Sequence, residues 1–239
     1  MSDVHRLSYI GSKYQLIDWI FTHIRDRTGW TDFKDKKIAD LFAGTGIVSW
    51  NFRNLGAHTT SNDAELYSSF ITSALALSEY TPKIKELIDA LNVPDTRSVG
   101  FVTRSFSPFE ASERMFFSVE NAQRIDWMRN QIEEWRPTLT DAEYSFLVAS
   151  LLIAADSVSN VPAVYGMYLK NFKDKAKKNI VVKPIHTCST PANARMENVD
   201  VLQVQWGPFD AVYLDPPYNE RQYSKNYFPL NIIAMTPEQ

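Results

Sequence analysis

The chain has 239 residues and a mass of 27.4 kDa, with 44% hydrophobic and 22% charged residues, a usage that excludes wholesale disorder and allows a core without disulfides or metals. Its single cysteine, Cys188, rules out an internal disulfide framework and fits a reducing compartment. Residues 1–6 lack the apolar block of a secretory signal, and the longest strongly apolar run, 146–155, is well short of the roughly 20 residues that span a bilayer, so a cytoplasmic protein with no membrane contact is expected. A formal net charge of −3 and a pI near 5.8 exclude a uniformly basic coat but leave room for local patches.

In chain order, apolar residues at 16, 17, 20, 21 and 24 have the spacing of an amphipathic helix. Residues 38–42 read as a short buried strand, ended by Gly44 and Gly46, and 47–55 as the helix that follows. Residues 58–62 read as a polar second strand with Asp63 at its edge, and 67–77 as a small-residue helix. Together these open a doubly wound sheet. Beyond them, 82–91 looks helical and 94–108 looks like a loop carrying Arg97 and Arg104. Residues 116–135 and 141–158 are helical, the second nearly all apolar and therefore buried. Lys170, Lys173, Lys175, Lys177, Lys178 and Lys183 face only Asp174 in a lysine strip. It is either a solvated face or a phosphate-contacting surface. Residues 201–204 and 210–214 have strand character, and 224–235 look like the start of another helix. The division expected is 1–79, a helical lobe over 80–190, and 191–239.

Two motifs carry chemistry. Asp40-Leu41-Phe42-Ala43-Gly44-Thr45-Gly46 runs a strand into a Gly-x-Gly turn, where the missing Cβ lets backbone approach a ligand. Ser49 stands where a dinucleotide fingerprint would have its third glycine. Asp63 sits at a spacing suited to an acid that accepts from ribose hydroxyls. A nucleoside-containing cofactor is therefore favoured over a phosphate anion, although a tight turn with an unrelated acid would read similarly. The second motif is Asp215-Pro216-Pro217-Tyr218 at the end of a strand. Prolines there can simply stop the strand. Chemically, the Asp215 carboxylate and the Pro216 carbonyl can each accept a hydrogen of a base's exocyclic amine, freeing its lone pair to attack a methyl group, while Tyr218 offers a stacking face. A base inside a duplex cannot reach such a site and must be flipped out. Asp200, in a turn-like Glu197–Val201 stretch, is a solvated residue or an acceptor for a cofactor adenine amine.

With Tyr9-Ile10-Gly11-Ser12-Lys13, Asn62-Asp63, Asn198 to Asp200 and Asn219 to Tyr223, these motifs make the chain resemble the Dam-like, alpha-type DNA adenine methyltransferases, closest to methylases of FokI-type restriction–modification systems. Residues 116–129 and 154–170 share that likeness. The resemblance implies a Rossmann-like α/β sheet with an inserted, mainly helical target-recognition lobe. It further implies methyl transfer from S-adenosyl-L-methionine to adenine N6 in duplex DNA, with no metal. Tyr9, Lys13, Phe42, Gly44, Gly46, Asp63 and Asp200 would bind the cofactor, and Asp215, Pro216 and Tyr218 the target base. By itself Lys13 would be read as a surface lysine. The family's sheet has more strands after the tetrapeptide, and here only 21 residues follow Tyr218. C-terminal strands are thus expected to be missing, with a second polypeptide as one way to supply them. Methylation of an RNA base amine, and a non-catalytic DNA-binding subunit, are the rival readings.

Overall fold

In a computed structural model, which describes residues 4–190, 192–205, 207–217 and 223–236, the helix α1 (Ile17–Thr28) leads into β1 (Lys37–Asp40), α2 (Ile47–Asn54), β2 (His58–Asn62) and α3 (Leu66–Ala76). The helices α4 (Pro82–Leu91), α5 (Phe101–Phe106), α6 (Val119–Trp135) and α7 (Asp141–Ser157) come next, followed by β3 (Ala194–Glu197), β4 (Ala211–Tyr213) and α8 (Tyr223–Ala234). The four strands are all parallel, in the order β3-β2-β1-β4. The two strands that follow the long helical stretch therefore flank the two that precede it, and the C-terminal ends of β1 and β4 lie side by side, where open α/β sheets hold their ligands.

Local signals set most of these boundaries. Thr140 and Glu143 form a reciprocal capping box at the start of α7, Ser118 caps α6, and Thr81 with Pro82 opens α4. The helix α5 lies within the stretch 94–108 that reads as a loop. It is too short to hold by propensity, and its exposed first-turn donors are met from elsewhere. The buried Asp126 of α6 accepts from the backbone N–H of Gly100 (2.9 Å), Val102 (3.0 Å) and Thr103 (2.8 Å). The run 201–204 is not a strand. Asp200 accepts from Leu202 N and starts a single 3-10 turn over Val201–Gln203, while the third strand is β3, an edge strand without apolar alternation that exists by pairing with β2.

Basic side chains that a sequence would leave on the surface close helix ends instead. Arg124 donates to the carbonyls of Leu91, Val93 and Thr96 behind α4, and the buried Arg129 to Ile233 and Ala234 at the end of α8. Lys173 and Lys175 of the lysine strip serve α7 in the same way, through Val161 O, Asp156 O and Ser159 Oγ. Lys177 pairs with Asp174 at 3.7 Å. Three of the six lysines of the strip thus have partners within the chain.

One buried cluster runs from Leu7 through α2 and α3 into α6, α7 and α8. Among element pairs, α3 and α7 make the broadest contact, so the helices following β2 share the core of the sheet. The other sheet face carries a much smaller cluster around Ala39, Leu41 and Val204, and on β4 and just past it Val212 and Leu214 remain exposed. No helix among the described residues is long and apolar enough to cross a membrane.

Candidate active site

A cavity of about 550 Å³ opens at the C-terminal ends of β1 and β4. Its walls come from residues 9–13, from the β1–α2 turn, from Asp63 to Glu65, from Tyr213 to Pro217, and from the start of α8. The structure brings Tyr9, Lys13, Phe42, Gly44, Asp63 and Asp215 together here. Pro216 lies between two wall residues, and Tyr218 falls outside the described residues.

The turn after β1 is locked from below. Gly44, at φ +54°, donates its N–H to Asp63 Oδ2 (2.7 Å), and its carbonyl accepts from Ser68 Oγ (2.5 Å). A Cβ on Gly44 would stand 3.3 Å from the Tyr9 ring, so here the missing side chain keeps the cavity wall open. Gly46 serves another end. It is not a wall residue, and a Cβ there would sit 2.8 Å from the Thr72 backbone at a φ of +69°, so it lets α2 start against α3. Gly46→Ala is accordingly expected to destabilise the fold by about 2–4 kcal/mol from combined left-handed strain and overpacking. A urea midpoint equal to wild type would refute this.

Residues 9–13 are held by α8. Ile10 N donates to the Tyr227 hydroxyl (2.8 Å), and the Tyr9 ring stacks on Tyr227 (4.9 Å between centroids) and Tyr223 (5.5 Å). Asn231 ties α8 to α3 through Tyr67 N and Glu65 Oε2. Burial and the nearby Asp63 push the Tyr9 hydroxyl up, so it stays neutral. This scaffold delivers the Lys13 ammonium onto the Asp215 carboxylate, with Gly11 O as its second acceptor at 3.0 Å. Lys13 is therefore a partner of the tetrapeptide acid.

Asp40, the last residue of β1, had no role in the sequence reading beyond its place in the motif, yet it is a wall residue with 1% exposure. Its Oδ2 accepts from Ser49 Oγ (2.7 Å), itself bonded to Ser61 Oγ (2.7 Å), while Oδ1 has no hydrogen-bond partner. Burial, with lesser repulsion from Asp63 and Asp215, raises its carboxyl to about 7. Burial likewise raises Asp63, against the hydrogen bonds it accepts from Glu65 and Gly44. An acid closing a buried strand was the available signal, since a carboxylate has no packing reason to be there. Asp200, by contrast, is exposed and capping its own turn, and is not a wall residue. Among the described residues no group of histidine, cysteine and acidic side chains is arranged to hold a metal ion.

The profile of a family described as D12 class N6 adenine-specific DNA methyltransferase matches residues 9–239. The chain is 43% identical to the type II methyltransferase M.CviAII of Paramecium bursaria Chlorella virus 1, over 99% of this chain and 71% of that protein. It is 37% identical to the type II methyltransferase M.NlaIII of Neisseria lactamica (96% and 69%) and 31% identical to the type II methyltransferase M.FokI of Planomicrobium okeanokoites (96% and 37%). No solved structure matches the chain.

Proposed function

Since the chain belongs to the D12 class of N6 adenine-specific DNA methyltransferases, we propose that the cavity between β1 and β4 binds S-adenosylmethionine and receives a flipped-out adenine of duplex DNA over Asp215, as the modification half of a type II restriction–modification system. The observation that carries this reading is the orphaned, buried Asp40 Oδ1 on a wall otherwise acidic at Asp63, Glu65 and Asp215. Such a wall suits a ligand bearing an ammonium and a sulfonium. When bound, S-adenosylmethionine supplies an electrophilic methyl group on sulfur.

Asp40 holds the ammonium, the Asp63 carboxylate keeps acceptor capacity for ribose hydroxyls, and Tyr9 and Phe42 supply apolar wall. Asp215 would accept one hydrogen of the adenine amine and the Pro216 carbonyl the other, freeing the nitrogen lone pair for the methyl group that the bound cofactor would supply as its carbon–sulfur bond breaks to leave the neutral thioether, and the nitrogen would then release a proton through Asp215 to water. Tyr218 stacks on the base. Lys13 occupies the acceptor that the amine needs, so base entry and departure of the Lys13 ammonium from Asp215 are one exchange. Asp200 caps its own turn with Oδ1 and keeps Oδ2 as an acceptor for the cofactor adenine amine. The exposed Val212 and Leu214, on edge strand β4 and just past it, support a further layer over that side of the sheet, and M.CviAII and M.NlaIII each exceed the matched segment within one chain, which gives a separate second polypeptide no support.

The Asp40 reading has a pH signature. A carboxyl raised to about 7, against about 3.9 in an unfolded chain, holds its proton in the folded state between those values. The stabilisation from the neutral form is therefore lost as pH rises from about 4 through 7. An ammonium ligand selects the carboxylate, so affinity for S-adenosylhomocysteine is expected to rise about fivefold from pH 6 to pH 7. Calorimetric titration of Asp40→Asn should give a weaker, flat profile. A wild-type profile that is already flat would remove Asp40 from this role. Tritiated methyl transfer to unmethylated duplex, with total RNA as competitor, tests the substrate: label in DNA adenine supports the reading, and label in RNA overturns it.

A further inference from the structure

Some of the large apolar side chains in solvent have a local reason in this molecule. Trp19 covers itself on His23 (3.9 Å between ring centroids), Phe101 leans edge-on against Phe106, and Val212 and Leu214 belong to the uncovered side of the sheet. Met167 is 63% exposed. It sits on a segment that is closed on itself, since Leu169 N donates to Asn160 O and Asn160 Nδ2 donates to Leu169 O, both at 2.9 Å. The base of the segment is buried. Tyr165, 1% exposed, donates its hydroxyl to Asp156 Oδ1 (3.0 Å) and its N–H to Asn226 O (2.8 Å), and Tyr168 packs edge-on against Phe116. A side chain presented by so anchored a loop loses little backbone freedom on binding.

The loop packs on α8, whose first residues wall the active-site cavity. A Cβ on Gly166 would lie 3.5 Å from Asn226 Oδ1, and Asn226 is one helical turn from Tyr223, which walls the cavity. Lys170, four residues past Gly166, and Lys225, next to Asn226, are exposed, charges suited to the flanking phosphates of a duplex.

Methylation over Asp215 requires the adenine to leave the stack, and an apolar side chain pushed between base steps offsets the unstacking. We propose that Met167 enters the base stack at the target pair as the adenine leaves it, acting as a positioning residue for flipping. This rests on the DNA-adenine reading of the cavity. The experiment compares methyl transfer by wild type, Met167→Ala and Met167→Leu on two duplexes, one with the target adenine paired and one with it opposite an abasic site, where little stacking remains to be broken.

Met167→Ala is expected to lose at least about tenfold in kcat/KM on the paired duplex and less than about twofold on the other, with Met167→Leu close to wild type on both. Equal losses on the two duplexes, or no loss on the paired one, overturn the proposal. A wild-type chain inactive on both duplexes overturns the reading of the cavity instead. In that event 2-aminopurine at the target position decides the wedge separately: emission of the bound duplex falls with Met167→Ala if the wedge acts and is unchanged if it does not.

Discussion

Asp215→Asn is expected to lower methyl transfer by about 10²–10⁴-fold while cofactor binding survives. Asparagine has the same shape, but it replaces one acceptor oxygen with a donor that faces the amine. It also dissolves the pair with Lys13, so the loss in turnover would come with a freed ammonium in the cavity. For that reason the double variant Asp215→Asn with Lys13→Met is informative: it removes the stranded cation without restoring the acceptor, and its turnover should stay as low as that of the single variant. Single-turnover transfer to duplex DNA, with S-adenosylhomocysteine titrated in parallel, is the measurement. Turnover within about tenfold of wild type would place the chemistry elsewhere.

Asp63→Ala is expected to weaken cofactor binding by about 1.5–3 kcal/mol, or roughly 10–150-fold, the usual loss for a hydrogen bond to a charged group. The carboxylate also accepts from Gly44 N and Glu65 N, so alanine leaves two donors unmet and loosens the turn. Asp63→Asn separates the two effects. Its remaining oxygen can keep one backbone bond, so stability should return towards wild type while affinity stays low. Unchanged titration of Asp63→Asn would mean that Asp63 holds the turn and not the ligand.

The central strands, their order of appearance and the long helices were legible because each has a local cause. The Gly-x-Gly turn, the capping box at Thr140 and the apolar run of α7 need no distant partner. The helix α5 and the strand β3 were not legible, since one depends on Asp126 far along the chain and the other on a neighbour to pair with. In the site, motif residues converge on one cavity as the spacing implied, but spacing carries no direction. It could not show that Lys13 reaches Asp215, that a Cβ on Gly46 would meet Thr72, or that Asp200 turns back on its own backbone. Asp40 was in view throughout and needed a measure of burial to be noticed.

The unbroken core from Leu7 to Ala234 makes the catalytic half and the helices between β2 and β3 one melting unit. In a two-state chain every residue shares the free energy gained when a ligand binds the folded form only. Occupancy at the glycine turn would therefore be felt as rarer opening of α6 and of the loop that carries Met167, with no hinge or shift in structure. On the proposed reading of the cavity, cofactor in excess of its dissociation constant would by this means alone stabilise α6 and the Met167 loop before any DNA arrives.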